Sequence, residues 1–235
     1  MSALRTAALM SLVALCVSCS SSISRSEPPT NTDATERTSS NATDATAATA
    51  APSVSTDATT AAPATTTAPA AALGLLNGDL EQLTDQLDDP AVADAARTVL
   101  AAGGAEPALR FAATYVLANV GDDPSLLAPL LTDADPTIAL TAAIGVVAQG
   151  GRQGFALLIA ALTSTTALDY YGTGETAWSA ATVALVQFTG IAANGPPFDA
   201  DGGQLLLAQQ RWQAWLDANA GSLTFDAQAG HWSTT

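Results

Sequence analysis

Few side chains in this sequence can transfer a proton or act as a nucleophile. His231 is the only histidine, both cysteines (Cys16 and Cys19) lie near the N terminus, and all seven basic residues are arginines. Without a lysine there is no amine for Schiff-base chemistry. Without a second histidine or a later thiol, a conventional catalytic triad and a histidine-based zinc site both lack essential groups. We therefore expect no enzymatic activity, no metal and no cofactor.

Paired carboxylates are the remaining groups with catalytic or metal-binding potential. Asp199 and Asp201 have the spacing that begins a calcium-binding loop, but the bidentate Glu required at the twelfth position is missing. An acidic turn before the last helix is the alternative interpretation. The other pairs fit turns and helix N-caps, where a carboxylate meets the positive helix end: Asp122 with Asp123, and Asp133 with Asp135.

Two adjacent tyrosines form the only aromatic-rich loop, Asp169-Tyr170-Tyr171-Gly172. Successive side chains of an extended segment point in opposite directions, so both rings cannot easily be buried together. Tyr170 and Tyr171 are therefore the candidate partner-binding residues. Either tyrosine alone can instead pack beneath the loop. The following Gly172-Thr173-Gly174 has no strand before it, so a phosphate-binding loop is not predicted.

The charge balance excludes one large class of partner. The chain carries 22 acidic and 7 basic residues, a formal net charge of −15. Nucleic-acid affinity depends mainly on clustered Lys and Arg that neutralise phosphates. We therefore predict that the protein does not bind nucleic acid.

The N terminus has the pattern of an export signal. Arg5 precedes an apolar run from Ala7 to Val17, and small residues follow. This run is too short for a membrane-spanning helix, which needs about 20 apolar residues. Residues 1–18 are therefore predicted to be a signal peptide, and no cysteine remains afterwards to build a disulfide framework.

The end of this leader, Leu15-Cys16-Val17-Ser18-Cys19, resembles the lipobox of bacterial lipoproteins. In that family the cysteine after a small residue is lipid-modified and becomes the new N terminus, which implies Cys19 here because Ser18 precedes it. Cys16 stands where the family usually has Leu, so ordinary signal-peptidase cleavage near 20–22 is the alternative. The resemblance implies a protein of the bacterial cell envelope, anchored by lipid on the extracytoplasmic side of a membrane.

Residues 19–70 are predicted to be a disordered tether behind the lipidated cysteine. Thr, Ala, Ser and Pro make up 40 of the 51 residues after Cys19, and no aromatic residue occurs. Such a segment cannot bury enough apolar surface to offset backbone ordering, which costs about 1–2 kcal/mol per residue.

Residues 71–235 have helical rather than strand periodicity. Between 106 and 121, apolar residues recur at helical spacing, with Pro107 in the first turn and Gly121 at the end. The same pattern begins again at Asp89-Pro90, Asp135-Pro136 and Gly174-Glu175. Shorter amphipathic pieces at 80–87, 126–131 and 155–162 are predicted to be the partner helices. Small residues let these helices approach closely: Ala95, Ala96, Ala112, Ala113, Ala142 and Ala181.

This arrangement resembles bacterial HEAT-like (armadillo-type) repeats, in which an acidic residue and Pro precede an Ala-rich helix that closes on Leu-x-x-x-Gly. The resemblance covers about 75–220. It implies an all-α fold, a short right-handed α-solenoid of helical hairpins. The ending Trp212-x-x-Trp215-x-x-x-Asn219, followed by Trp232, is similar to the last helix and trailing segment of that family. Trp212, Trp215 and Trp232 are therefore predicted to form a structural cap over the open end.

Fold analogy then indicates a membrane-tethered extracytoplasmic scaffold or adaptor that binds an unidentified envelope protein. One alternative is an envelope lipoprotein that binds a small molecule or glycan through the tyrosine loop. Another is an enzyme based on a carboxylate pair. A broad groove would favour the scaffold. A compact pocket walled by Tyr170 and Tyr171 would favour the small-molecule or glycan binder, and a deep site whose carboxylates have perturbed pKa values would favour the enzyme.

Overall fold

The computed structural model describes residues 74, 76, 80–121, 123–168, 170, 174–197 and 199–235. These residues belong to one compact unit. Four predictions lie outside the described residues: the signal peptide 1–18, the lipidation residue Cys19, the tether 19–70, and the role of Tyr171.

The described chain is predominantly helical, as the sequence predicts. The α-helices are α1 (Leu80–Asp85), α2 (Pro90–Ala102), α3 (Pro107–Val120), α4 (Pro136–Ala148), α5 (Gly154–Ala161), α6 (Ala177–Thr189) and α7 (Gly202–Asn219). Short 3-10 segments are Pro124–Leu126, Ala128–Thr132 and Ala192–Asn194, and two strands follow α7, β1 (Leu223–Asp226) and β2 (His231–Thr234).

Local sequence signals set the helix ends. The Asp89 side chain accepts a hydrogen bond from the backbone of Ala91 at the start of α2, and Asp135 accepts one from Thr137 at the start of α4. Each of these helices begins with proline. Proline lacks a backbone N–H, and this costs nothing in the first turn, where an N–H has no acceptor within the helix. Gly190 ends α6 with a φ of 72°, a conformation that costs glycine little. Of the acidic residues predicted to be N-caps, Asp135 caps α4 and Asp123 caps the 3-10 segment Pro124–Leu126, while Asp122 lies outside the described residues.

Helices α3 and α4 are buried on every side rather than along a single stripe. In α3, each residue from 111 to 119 is buried, and in α4 each residue from 137 to 147. The sequence predicts one apolar stripe on α3, which understates its burial. The physical reason is that α3 packs against α1, α2 and α4 at once.

Two hydrophobic clusters meet at α4. Ile138, Ala142 and Val146 of α4 join a cluster formed with α1, α2 and α3. Leu140 and Val147 of the same helix join a second cluster with α5, α6, α7 and the strands. Helix α4 therefore connects both halves of the core. The small residues predicted to lie in the core are all buried: Ala95, Ala96, Ala112, Ala113, Ala142 and Ala181.

The helices contact one another in two adjoining rows. In the first row, α3 packs on α4 and α4 on α6. In the second row, the segment Ala128–Thr132 packs on α5 and α5 on α7. Contacts of α4 with Ala128–Thr132 and α5 join the rows.

The partner helix predicted at 126–131 forms 3-10 turns instead of an α-helix. Pro124 begins the first segment and Pro129 lies inside the second. A proline in a helix interior removes a hydrogen bond and clashes with the preceding turn, so a regular α-helix cannot run through this stretch. Leu127, between the two segments, is nevertheless fully buried.

An antiparallel hairpin of β1 and β2 follows α7 and was not predicted from the sequence. Leu223 pairs with Thr234, and Phe225 pairs with Trp232. The Trp232 indole Nε1 donates a hydrogen bond of 2.9 Å to the backbone oxygen of Val147 in α4. Residues of the hairpin thus contribute to the second core cluster, which is otherwise formed mainly by helices.

No helix among the described residues is long and apolar enough to cross a membrane.

Candidate functional site

Tyr170 lies where α3 and α4 begin, and its ring is packed on a buried aromatic side chain. The ring stacks on Phe111 of α3 with a centroid distance of 4.7 Å and an interplanar angle of 16°. Its hydroxyl donates a hydrogen bond of 3.1 Å to Oδ2 of Asp135. Tyr170 remains partly exposed. One ring face is therefore held by the core, and only the remainder is accessible to a partner.

The acidic residues beside Tyr170 bond to its hydroxyl and to groups at the start of α4 and on α3. Asp135 Oδ1 caps α4 while Oδ2 accepts from Tyr170. Asp133 Oδ1 accepts from the Asp135 backbone and, at 3.0 Å, from Nη2 of Arg110. Nη1 of Arg110 donates to the Ala105 carbonyl. These carboxylate oxygens therefore link the start of α4 to Tyr170 and to Arg110 of α3.

Elsewhere, the carboxyl groups with shifted pKa values are biased toward the ionised form. Hydrogen bonds from Ser125 hold the pKa of Asp123 below its ordinary value. Backbone hydrogen bonds from Ala229 and Gln228 lower the pKa of Asp226 in the hairpin turn. A catalytic acid requires the opposite shift, toward the protonated form near neutral pH.

His231 packs near a helix end, and the acidic segment 199–203 forms the start of a helix. His231 is half-buried on β2, and its Nε2 lies 3.2 Å from the position of a Cβ added at Gly190. Asp201 begins α7 with a reciprocal capping box, in which its Oδ1 accepts from the Gln204 backbone at 2.8 Å and the Gln204 side chain accepts from the Asp201 backbone. The predicted acidic turn before the last helix is confirmed.

The three tryptophans of the predicted cap lie together. Trp212 is fully buried, and its ring meets Trp215 edge to face at 5.5 Å. Phe155 of α5 contacts Trp215 at 5.9 Å and Trp232 at 5.3 Å, both edge to face. Such pairs contribute about 0.5–1.5 kcal/mol beyond their buried area. These rings join α5, α7 and β2 in one aromatic cluster.

A shallow groove of about 250 Å³ runs between α5 and α7. Its lining is uncharged, with apolar side chains from α5 and amide side chains from α7: Ala156, Ile159, Ala160, Gln209, Gln210 and Gln213. The Gln209 side chain donates to the carbonyls of Ile159 and Ala160, which ties the two helices together. On the outer side of α7, Leu206 and Leu207 are about half exposed, at 48% and 53%.

Sequence reasoning did not single out three features of these surfaces. The Phe111–Tyr170 stack and the Trp232–Val147 hydrogen bond join residues far apart in sequence, so no local pattern signals them. The exposed pair Leu206-Leu207 did carry a local signal. In an amphipathic helix, Leu205 and Ala208 occupy the buried side, which leaves two consecutive leucines on the outside.

Comparisons of the chain with protein-family models, with curated proteins and with solved structures find no match in any of the three.

Proposed function

We propose that this protein is a lipid-anchored scaffold or adaptor of the bacterial cell envelope, built from a short right-handed solenoid of HEAT-like hairpins. The observation that carries the proposal is the succession of helix contacts. Helix α4 packs between α3 and α6, and α5 packs between Ala128–Thr132 and α7. Stacking of each helix on the corresponding helix of the neighbouring hairpin is the contact pattern of a solenoid.

The distribution of polar groups supports binding rather than catalysis. The carboxylates around Arg110 cap helices and hold Tyr170, while the α5–α7 groove is open and uncharged. A shallow groove with exposed leucines nearby is typical of a surface that contacts another macromolecule. The tyrosine loop is the proposed partner-binding edge, because Tyr170 stacks on Phe111 of α3 and bonds to Asp135 at the start of α4, and Tyr171 follows it in the chain.

Membrane anchoring is the first testable part of this proposal. Mass spectrometry of the protein extracted from bacterial membranes should show a mature N terminus at an acylated Cys19. Buried acyl chains contribute about 0.8 kcal/mol per CH₂, and two or more chains give stable anchoring. A Cys19→Ala variant should therefore leave the membrane fraction.

Cys16→Ala is the matched control, since it removes the other leader cysteine and should leave the acylated N terminus unchanged. A mature chain that begins at an unmodified serine, or a Cys19→Ala variant that stays with membranes, would show that the lipoprotein assignment is wrong.

Partner binding is tested by crosslinking in the native envelope, followed by capture and mass spectrometry. Tyr171→Ala should reduce recovery of the crosslinked partner severalfold, because aromatic side chains supply a large share of interface energy. Combining it with Tyr170→Phe retains the ring that stacks on Phe111 and removes only the hydroxyl bond to Asp135. The thermal melt of each variant is recorded in parallel.

Leu126→Ala is a suitable control because Leu126 is exposed at 41% on a different element. Loss of the partner from the tyrosine variants with an intact melt supports the binding edge. Unchanged recovery contradicts it, and so does an equal loss from Leu126→Ala. A collapsed melt would assign the changed tyrosine to the folded core.

A further inference from the structure

The exposed side of α7 carries a continuous stripe of mostly uncharged residues. Leu206 and Leu207 lie at its centre, and helical spacing of three and four residues extends the stripe in both directions. Its six members are all exposed: Gly203, Leu206, Leu207, Gln210, Arg211 and Ala214. In a chain of net charge −15, these six residues include no acid and a single cation, and the same helical spacing next reaches the exposed Asp217, which ends the stripe.

The charges along this stripe and before it are complementary to the same charges read in the opposite direction. Asp199 and Asp201 lie at the start of α7, the two leucines follow, and Arg211 comes one turn after Leu207. A second α7 running in the opposite direction would place its leucines against these leucines. Each Arg211 would then lie opposite the acidic start of the other helix.

We propose that the stripe on α7 binds a second copy of this chain, with the two α7 helices antiparallel about a two-fold axis between the leucines. In this register Leu206 lies opposite Leu207 of the second copy, and Gln210 lies opposite Gly203, whose missing side chain permits close approach. Each Arg211 faces the N terminus of the other copy's α7, which carries about half a positive charge. The two negative charges of Asp199 and Asp201 at that end outweigh it. The same patch serves both copies, as a two-fold interface requires.

Electrostatics explains why another copy would meet this surface rather than a different one. Two chains of charge −15 repel each other, but exposed charges more than about 8 Å apart are largely screened at physiological ionic strength. Only the groups at the contact then decide the sign of the interaction. Along the six residues of the stripe those groups are apolar, amide or oppositely charged, and Asp217 falls opposite position 196 of the second copy, before its α7 begins.

The size of the stripe implies a weak dimer. Helix α7 has 18 residues and is about 27 Å long, so one helix pair buries less than the roughly 800 Å² per partner of a standard interface. The expected dissociation constant therefore lies in the micromolar range. Dimerisation does not depend on the proposed partner-binding edge at Tyr170 and Tyr171.

Sedimentation velocity of the full chain in a non-ionic detergent solution, over about 1–500 µM, measures this association. Replacing the pair by Leu206→Glu and Leu207→Glu should weaken the dimer by at least about tenfold, since it puts like charges at the centre of the contact. Leu126→Glu is the matched control, an exposed leucine on another element, and should leave the association constant unchanged.

A charge exchange tests the antiparallel register. Arg211→Glu alone should weaken the dimer severalfold, and adding Asp199→Arg should restore it, because the two opposite charges are then exchanged across the interface. Asp199 is used because Asp201 is needed as the N-cap of α7. A wild-type chain that stays monomeric at the highest concentration overturns the proposal. So does a dimer that resists the leucine changes, responds equally to Leu126→Glu, or is not restored by the charge exchange.

Discussion

Replacing Trp212 by alanine should lower the free energy of unfolding by about 3–5 kcal/mol, the usual cost of truncating a large aromatic residue in a core. The Trp212 side chain is fully buried in the second core cluster. Its ring also packs edge to face on Trp215. Loss of the indole would leave a cavity where α7 meets the rest of the cluster. Urea denaturation followed by circular dichroism measures the change.

Trp178→Ala is the matched control for this prediction. Trp178 is an indole on α6 that is only partly buried, so its truncation should cost clearly less than that of Trp212. Equal losses for the two variants would mean that burial in the aromatic cluster does not determine stability at this end of the domain. An unchanged unfolding free energy for Trp212→Ala would place the indole outside the core.

Phenylalanine substitutions separate packing from hydrogen bonding within the same cluster. The buried Nε1 of Trp212 has no hydrogen-bond partner in the part of the chain that the structure describes, whereas Nε1 of Trp232 donates to Val147. Trp232→Phe removes the indole donor, while the Val147 carbonyl keeps its bond from the Gly150 backbone N–H at 3.2 Å, so the loss of this one hydrogen bond should cost about 0.5–1.5 kcal/mol. Trp212→Phe removes no hydrogen bond. It should therefore be tolerated better than Trp232→Phe.

Local signals predict much of the helical architecture because they act within one turn. Asp89 and Asp135 can cap the helices that follow them whatever the rest of the chain does. Pro107 and Gly121 likewise define both ends of α3. The Ala-rich centres predict close helix packing, since small side chains permit it wherever the partner helix lies.

Contacts between distant residues could not be predicted in this way. The sequence shows Trp232 as an aromatic residue near the C terminus, but its hydrogen bond to Val147 depends on how the hairpin folds back onto α4. The two strands have four residues each, too few for a clear alternation of polar and apolar residues. The 3-10 turns around Pro129 follow from the disruption that proline causes in an α-helix. The helical spacing of the neighbouring leucines favoured an α-helix and led to the wrong prediction.

The candidate site was predictable only in part for the same reason. Two adjacent tyrosines in a loop indicate that at least one aromatic ring is exposed or packs on the domain, but not which one. Which ring is held by the domain depends on Phe111 and Asp135, and neither is near the loop in sequence. The exposed pair Leu206-Leu207, in contrast, becomes evident once Leu205 and Ala208 are assigned to the buried side of α7.

Gly145→Ala should destabilise the protein by about 1–3 kcal/mol, although alanine is normally the better helix former by about 1 kcal/mol. Gly145 lies within α4 at its contact with α3. A Cβ at this position would be 2.6 Å from Cβ of Ala118, 2.7 Å from its Cα, and 2.6 Å from Cδ1 of Leu127. The backbone atom cannot rotate away, so α3 and α4 would have to separate.

Gly202→Ala at the start of α7 gives the opposite expectation and so serves as the control. A Cβ added there meets no atom within 4 Å, which leaves only the gain in helix propensity and the reduced entropy of the unfolded chain. The change should be neutral or stabilising by up to about 1 kcal/mol. Thermal and urea unfolding of both variants measure the contrast. A stabilised Gly145→Ala variant would show that α3 and α4 do not pack at this distance. The contact through which the first core cluster joins α4 would then have to be assigned to other residues.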